Sequence, residues 1–473
     1  MTDQITSKIN RFRFLLTNCN LDCKQYQIEG VEFCLRNELD ETNCHGVKGG
    51  IIADEMGLGK TIMMIGLMFS NIVSRTLVVL PPILIQQWYN EIYRTTGHKA
   101  LIYHGSSKKK INIDQLRNST IVLTSYSSIS ILKKNKKLAL IHQVMWGRVI
   151  FDEAHHLRNK NTTRFLGCIN IRAKNRWFVT GTPIHNRKED FYSLCQALGL
   201  NSTFYKDVAN LRQIQEQFIL CRTKKSVGII LPEVNEKKYV ICWKNKKEKE
   251  ISEDIHSLLS ISGVSVKKRG VYGNYILDGG PLIAFLRAKQ SCIMPSLLDN
   301  VCMNNDDQKI STGSKVDAVV STILTRKENG NGKIVFCQFR EEIDYISNKL
   351  LEQGLRVFTM DGRIKGKKRL ESLQTSADVL ILQIQTGCEG LNLQNNYSEV
   401  YFVSPHWNPA IEDQAIARCH RIGQTKEVNV FKFIMNGFEK DEDSLKNPIT
   451  LEKYIQHIQQ VKRNISEEII LKK

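Results

Sequence analysis

Three short stretches hold residues whose types and spacing can do chemistry. The first is Asp54-Glu55-Met56-Gly57-Leu58-Gly59-Lys60-Thr61, which follows an apolar run (Gly50–Ala53) and opens a helical pattern. This is the strand–loop–helix setting of a phosphate-binding loop. Gly57 and Gly59 let the backbone approach phosphate and turn N–H groups towards it, and the helix N-terminus adds favourable partial charge. Lys60 is placed to reach β/γ-phosphates and Thr61 to hold Mg²⁺. The second is Asp152-Glu153, an acidic pair ending the run Val149-Ile150-Phe151. An acidic pair at a strand end is commonly just exposed. Beside a phosphate loop, Asp152 can bind Mg²⁺ and Glu153 can polarise an attacking water. The third is Gln414 to Gln424, where Arg418 and Arg421 stand three residues apart. That spacing predicts one helical face, either solvated or aimed at a phosphoryl group as arginine fingers.

These groups need a rigid frame. Short β-branched runs (Gly50–Ala53, Thr76–Leu80, Thr120–Leu123, Val149–Phe151) alternate with helical patterns such as Thr61–Val73 and Ile83–Tyr93. Alternation of this kind predicts a parallel sheet covered by helices. It recurs at Lys333–Phe336, Val357-Phe358, Asp378–Leu382, Glu399–Val403 and Val428–Ile434, which makes two α/β units. Residues 201–310 are less regular, with a Lys/Glu run at 244–250 and a Gly-rich patch near 270–280. They are expected to form a helical insertion and a linker. Residues 441–473 end in an amphipathic pattern. A solenoid is excluded by the lack of any 20–50-residue period.

The chain has 473 residues, 42% hydrophobic and 24% charged, enough for two to four domains with real cores. Its sequence contains no apolar run near the roughly 18 residues of a spanning helix, and the N-terminus reads as lacking a signal peptide. Thirteen scattered cysteines fit reduced thiols better than a disulfide framework, and the expected location is intracellular. Net charge is +19, of which residues 1–230 carry +15 (32 basic against 17 acidic). Such an excess fits a polyanionic partner, nucleic acid above all, or a lysine-rich solvated surface. Cys19, Cys23, Cys34, Cys44 and His45 lack finger spacing and read as packing thiols rather than a zinc site. The run Lys133–Lys137 reads as a solvated loop, a phosphate-tracking patch or a nuclear localisation signal.

Together these motifs resemble the SWI/SNF-type ATPases, helicase-like motors of superfamily 2, over residues 20–435. Leu21–Val31 resembles the family's Q-motif, Leu77–Pro82 with Gln87, Trp88 and Glu91 its motif Ia, and Thr124-Ser125-Tyr126 its motif Ib. Asp152–His155 resembles motif II (a DEAH box), Thr180–Asn186 motif III, Phe336–Phe339 motif IV, Gly390–Leu393 the end of motif V, and Gln414–Gln424 motif VI. Phe218–Lys224, Leu231-Pro232 and Arg287–Pro295 also fit. The resemblance implies an α/β fold of two tandem RecA-like lobes with a helical insertion and linker between them. The lobes are expected over 1–230 and 311–440, with 231–310 between and a C-terminal helix over 441–473.

By the same resemblance ATP and Mg²⁺ are the cofactors. Gln27 reads adenine, residues 54–61 (Asp54, Glu55, Met56, Gly57, Leu58, Gly59, Lys60, Thr61) hold ATP, and Thr61 with Asp152 holds the metal ion. Lys60, Asp152, Glu153, Gln414, Arg418 and Arg421 carry hydrolysis, with ATP between the lobes. Thr180, Gly181 and Thr182 couple hydrolysis to movement. Pro81, Thr124, Ser125, Tyr126, Gln338, Asn392 and Trp407 contact nucleic acid, most often double-stranded DNA that is tracked without strand separation. Two departures stand out: Thr386-Gly387-Cys388-Glu389 precedes Gly390 where the family has Ala-Gly-Gly, and Cys221 stands where a second arginine is common.

No bromodomain, chromodomain, RING or SANT-like module is visible in this sequence. The resemblance implies a double-stranded-DNA-stimulated translocase that remodels protein–DNA complexes, and the lack of histone-reading modules in this sequence counts against chromatin as its target. The alternatives are a transcription-associated ATPase resembling the transcript-release enzymes of large DNA viruses, an RNA helicase, or a silent nucleic-acid scaffold, which the intact ATP motifs disfavour. Partners are nucleic acid and transcription or chromatin proteins. The location is the nucleus or, for a viral chain, a cytoplasmic replication site or the virion. The first lobe is expected to supply most of the electrostatic grip.

Overall fold

The structure is a computed structural model that describes residues 2–41, 45–132, 138–181, 188–259, 280–298, 313–363, 377–384, 391–438 and 448–470. It divides into two compact units, residues 1–230 with 464–473, and residues 231–463. Among the described residues no helix is long and apolar enough to cross a membrane.

The first unit is built on seven strands: β1 (Gly49–Ile52), β2 (Thr76–Leu80), β3 (Leu101–Tyr103), β4 (Ile121–Ser125), β5 (Trp146–Asp152), β6 (Ala173–Val179) and β7 (Ile219–Leu220), in the order β3-β4-β2-β5-β6-β1-β7. Every neighbouring pair is parallel. β1 and β2 are buried along their whole length, as parallel strands covered on both faces must be. Alternate residues feed two cores, one on each face: Ile51, Leu77 and Val79 on one side, and Ile52, Val78 and Leu80 on the other. Helices α1 (Thr2–Asn18), α2 (Gln25–Leu39), α3 (Lys60–Ser70) and α4 (Ile85–Thr96) help cover the second of these faces. Gly66 of α3 is required for this docking, because a Cβ there would lie 2.3 Å from the Phe12 ring of α1.

The second unit has six strands: β8 (Val234–Ile241), β9 (Gly332–Cys337), β10 (Val357–Met360), β11 (Val379–Gln383), β12 (Tyr397–Phe402) and β13 (Val428–Met435), ordered β10-β11-β9-β12-β13-β8 and again all parallel. Val335 and Cys337 face one core, Ile334 and Phe336 the other.

The segment expected to be insertion and linker differs from that reading. It opens with an edge strand, β8, which pairs with β13 over eight residues. The strand reads Val-Asn-Glu-Lys-Lys-Tyr-Val-Ile and is mostly exposed, so it carries no apolar run to betray it. Charged residues suit an edge, where they discourage further strand pairing. Next come α5 (Lys246–His256) and α6 (Gly280–Ile293). Later in the chain, α7 (Pro409–Ile416) lies between β12 and β13, and α8 (Leu451–Ile470) follows β13. Residues of α5 and α6 join Leu451 and Ile455 of α8 in a small core of their own. The Gly-rich patch near 270–280 lies mostly outside the described residues.

Candidate nucleotide-binding site

Parallel strands put all their carboxyl ends on one edge of the sheet, and that edge collects the chemistry of the first unit. The loop after β1 reaches α3 through Gly57 and Gly59, both at positive φ (92° and 77°), which a side chain would strain. Lys60 folds back over the loop, its Nζ donating to the carbonyls of Asp54 (2.6 Å) and Glu55 (3.3 Å). Gln27 of α2 donates through Nε2 to Leu58 O (3.3 Å) and lies so close to Gly59 that a Cβ there would be 2.4 Å from Nε2.

The carboxylate of Asp54, expected to contact ATP, is fully buried. It accepts from Arg222 Nη2 (2.6 Å), Nε (3.1 Å) and backbone N (3.0 Å), while Arg222 Nη1 donates to Tyr26 O. Glu55 is likewise tied to Lys224, through its backbone N–H (2.7 Å) and its ammonium (3.1 Å). Arg222 and Lys224 follow β7, which pairs with β1. A segment distant in sequence thus clamps the base of the phosphate loop. Their sequence carries a signal, Arg-Thr-Lys within Phe218–Lys224, but not the role.

Asp152 ends β5, and its carboxylate is held from two sides: Trp88 Nε1 donates to Oδ2 (2.8 Å) and Glu153 N to Oδ1 (2.9 Å). Glu153 adopts a left-handed backbone, φ 50°, which costs a non-glycine residue about 1–3 kcal/mol and persists only under outside restraint. Tyr126 OH supplies some of it, donating to Asp152 O (2.7 Å). His155 Nδ1 lies 3.2 Å from Glu153 Oε2. Burial, and next the charge of Glu153, raise the Asp152 carboxyl to about 7, against the lowering pull of Trp88, the Glu153 N–H and Lys60. A buried carboxylate beside a second one gains from a cation, and each oxygen keeps a lone pair free of these donors, so the surroundings of Asp152 fit a ligand of a magnesium ion.

Thr180 follows β6, buried, with its N–H on Ile52 O (3.0 Å). A Cβ at Gly181 would lie 2.9 Å from Met56 Cγ and 3.6 Å from Lys60 Nζ, so the segment after β6 abuts the loop. Thr182 lies outside the described residues.

The residues expected to touch nucleic acid divide. Pro81 is at the carboxyl end of β2, ahead of α4. Thr124, Ser125 and Tyr126, expected to contact nucleic acid, are buried, and their side chains are engaged within the first unit. Thr124 Oγ1 donates to Tyr103 O (2.8 Å), Ser125 Oγ bonds His104 Nδ1 (2.9 Å), and Tyr126 is committed to Asp152. Sequence reading missed the internal roles of Trp88 and Tyr126, although both lay inside recognised motifs.

In the second unit, Arg418 and Arg421 are not on a helix face as the spacing predicted. Helix α7 ends at Ile416; Asn408 caps its start, and Arg418 to Arg421 run on in turns beyond it. Gln414 is buried in α7. Arg418 O accepts from Leu393 N (3.0 Å) and Arg421 Nη1 donates to Asn392 Oδ1, so the arginine segment is stitched to the exposed Asn392. Burial and then the charge of Arg418 hold the Arg421 guanidinium below its ordinary range. Half-buried Gln338 takes Glu342 Oε2 on its backbone N–H (2.8 Å). Trp407 is 40% exposed, with Lys462 Nζ 5.1 Å from its ring centre. Thr386–Gly390, with the unusual Glu389, lies outside the described residues.

The profile of the SNF2-related domain family matches residues 26–297, and that of the helicase conserved C-terminal domain matches residues 314–423. The chain is 27% identical over 512 residues to the DNA excision repair protein ERCC-6-like of Danio rerio, covering 87% of this chain and 34% of that protein. It is 29% identical over 444 residues to an uncharacterised ATP-dependent helicase of Mycoplasma genitalium, covering 90% of this chain and 41% of that protein. The chain thus spans well under half the length of these curated relatives. Among solved structures, the Sulfolobus solfataricus SWI2/SNF2 ATPase core in complex with dsDNA is similar at 26% identity, covering 95% of this chain and 93% of that one, with a TM-score of 0.40.

Proposed function

The chain belongs to the SNF2-related family, and on that premise we propose that it is an ATP-hydrolysing motor, stimulated by double-stranded DNA, that moves along the duplex and remodels protein–DNA complexes. The observation that carries this reading is the convergence on Asp152 of the phosphate-loop edge and of two segments of nucleic-acid type, Pro81–Trp88 and Thr124–Tyr126. Relatives named for DNA repair and for helicase activity support DNA as the track.

In this reading Lys60 leaves its two loop carbonyls to meet the β/γ-phosphates of ATP. Thr61 and Asp152 hold Mg²⁺, which when bound neutralises phosphate charge. Glu153, kept at the edge by its turned backbone, orients and polarises the attacking water. Arg418 and Arg421 offset charge at the transferring phosphoryl group. Contacts to phosphates carry no sequence information, which suits a motor that works anywhere on its track. An intracellular place of action belongs to the same reading.

The test is ATP turnover without nucleic acid and with double-stranded DNA, single-stranded DNA or RNA. Double-stranded DNA is expected to stimulate most. Stimulation by RNA alone would move the reading to an RNA helicase, and a flat response to all three would sink it.

A further inference from the structure

Asp152 is held by more of the fold than the ATP site requires. Trp88 lies on α4 and is 2% exposed, and its indole N–H is spent on Asp152 Oδ2 at 2.8 Å. Tyr126 stands directly after β4 and is 3% exposed, and its hydroxyl is spent on Asp152 O at 2.7 Å. A buried indole or phenol needs an acceptor, and a backbone carbonyl is enough, as Trp146 shows with Ile141 O at 3.0 Å. Trp88 instead takes a carboxylate oxygen, and Tyr126 takes the carbonyl of that same residue, the acidic one at the end of β5. They reach it from the segments that follow two different strands, β2 and β4, and between them they fix its side chain and its peptide.

The consequence is mechanical. The carboxylate of Asp152 cannot rotate without giving up Trp88, and the peptide leading into the strained Glu153 cannot turn without giving up Tyr126. Each holder is a short way along the chain from the sheet edge. Trp88 is seven residues after Pro81, and Tyr126 is bonded to Ser125, whose hydroxyl continues to His104 in the loop after β3. That same loop carries Lys108–Lys110. A polyanion settling on these loops would therefore displace groups joined through one or two contacts to the metal-binding carboxylate and to the turn that presents Glu153.

We propose that Trp88 and Tyr126 are positioning residues: Trp88 sets the carboxylate of Asp152 for the magnesium ion, and Tyr126 transmits nucleic-acid occupancy to the Asp152–Glu153 turn. The Tyr126 half rests on the proposed function; the Trp88 half needs only the nucleotide site. Outer partners of metal-ligating carboxylates are worth about 10–100-fold in metal affinity or activity, so the effect is measurable.

The experiment uses the full chain, as the unsubstituted protein and as Trp88→Phe, Tyr126→Phe and the control Trp146→Phe, which loses an indole hydrogen bond of the same kind away from the site. Three quantities are read: affinity for a fluorescent ATP analogue across a Mg²⁺ titration without nucleic acid, double-stranded-DNA affinity, and ATP turnover with and without saturating DNA. Trp88→Phe is expected to raise the Mg²⁺ concentration at half-saturation by about tenfold or more, with Trp146→Phe unmoved. Tyr126→Phe removes one oxygen and keeps the ring; it is expected to lower the ratio of DNA-stimulated to unstimulated turnover several-fold while DNA affinity holds. Should Trp88→Phe fail to fold, benzothienylalanine at position 88 replaces the N–H by sulfur at nearly the same volume. A half-saturation shift shared equally by Trp146→Phe, or absent from both position-88 variants, overturns the Trp88 assignment. An unchanged stimulation ratio in Tyr126→Phe overturns the coupling. If the unsubstituted protein shows no DNA stimulation, the proposed function and the coupling fall together, and the Mg²⁺ titration still decides Trp88.

Discussion

Asp54 and Asp152 are both acidic, both buried and both at the edge of one sheet, yet their surroundings give them opposite work. Asp54 is neutralised in place by Arg222, which meets it with three hydrogen bonds. Removing one partner of such a pair strands the other charge, so Asp54→Ala is expected to cost about 3 kcal/mol or more. Arg222→Ala should cost a similar amount and the double variant little further, as a thermal-melt cycle will read. Asp152 has hydrogen-bond donors but, among the described residues, no paired side-chain cation, and its carboxyl is raised to about 7, which leaves it open to a metal ion. Lys60→Ala removes the cation nearest the loop carbonyls and is expected to lower ATP turnover by roughly two orders of magnitude, with little change in melting temperature.

At the scale of elements, α8 shows how the second unit holds its end. Lys315 meets Glu452, Glu452 Oε2 also accepts from Met435 N (2.9 Å), and Gln459 donates to Glu412 (2.7 Å). At the start of the helix, Leu451 N donates to His256 Nε2 (2.9 Å), so the buried imidazole must keep that nitrogen unprotonated. Burial lowers His256 to about 4. A folded-state value below the ordinary 6.5 means the neutral form is the folded form. The stabilisation is full above about pH 6.5 and is lost as pH falls through 4, about 3 kcal/mol in all. Hydrogen exchange over residues 451–463 is expected to quicken across that window, before the strands of the second sheet respond.

For the whole molecule, the question is where the charge of +19 is used. The share in residues 1–230 is +15, and Lys108–Lys110 stand in a turn beyond the carboxyl end of β3, on the edge that carries the nucleotide site. Reversing these three lysines to glutamate is expected to lower the log–log salt slope of double-stranded-DNA binding by about 2–3, close to one for each phosphate no longer neutralised. An unchanged slope would make the excess mere surface solvation.

The parallel α/β architecture and the nucleotide chemistry are legible in the order of residues alone. Both are written in local patterns: β-branched runs alternating with helices, and Gly57–Thr61 and Asp152-Glu153 at strand ends. Features without a local signature depend on contacts made in the folded chain. β8 is a strand because β13 pairs with it, not because of its own polar sequence. Arg418 and Arg421 leave the helix that their spacing predicted because α7 ends at Ile416. Thr124, Ser125 and Tyr126 turn inward because their neighbours offer hydrogen-bond partners there. Arg222 reaches Asp54 across 168 residues. A local pattern fixes backbone period and the chemistry a side chain carries; which partner that side chain meets depends on strands distant in sequence, and only folding brings those together.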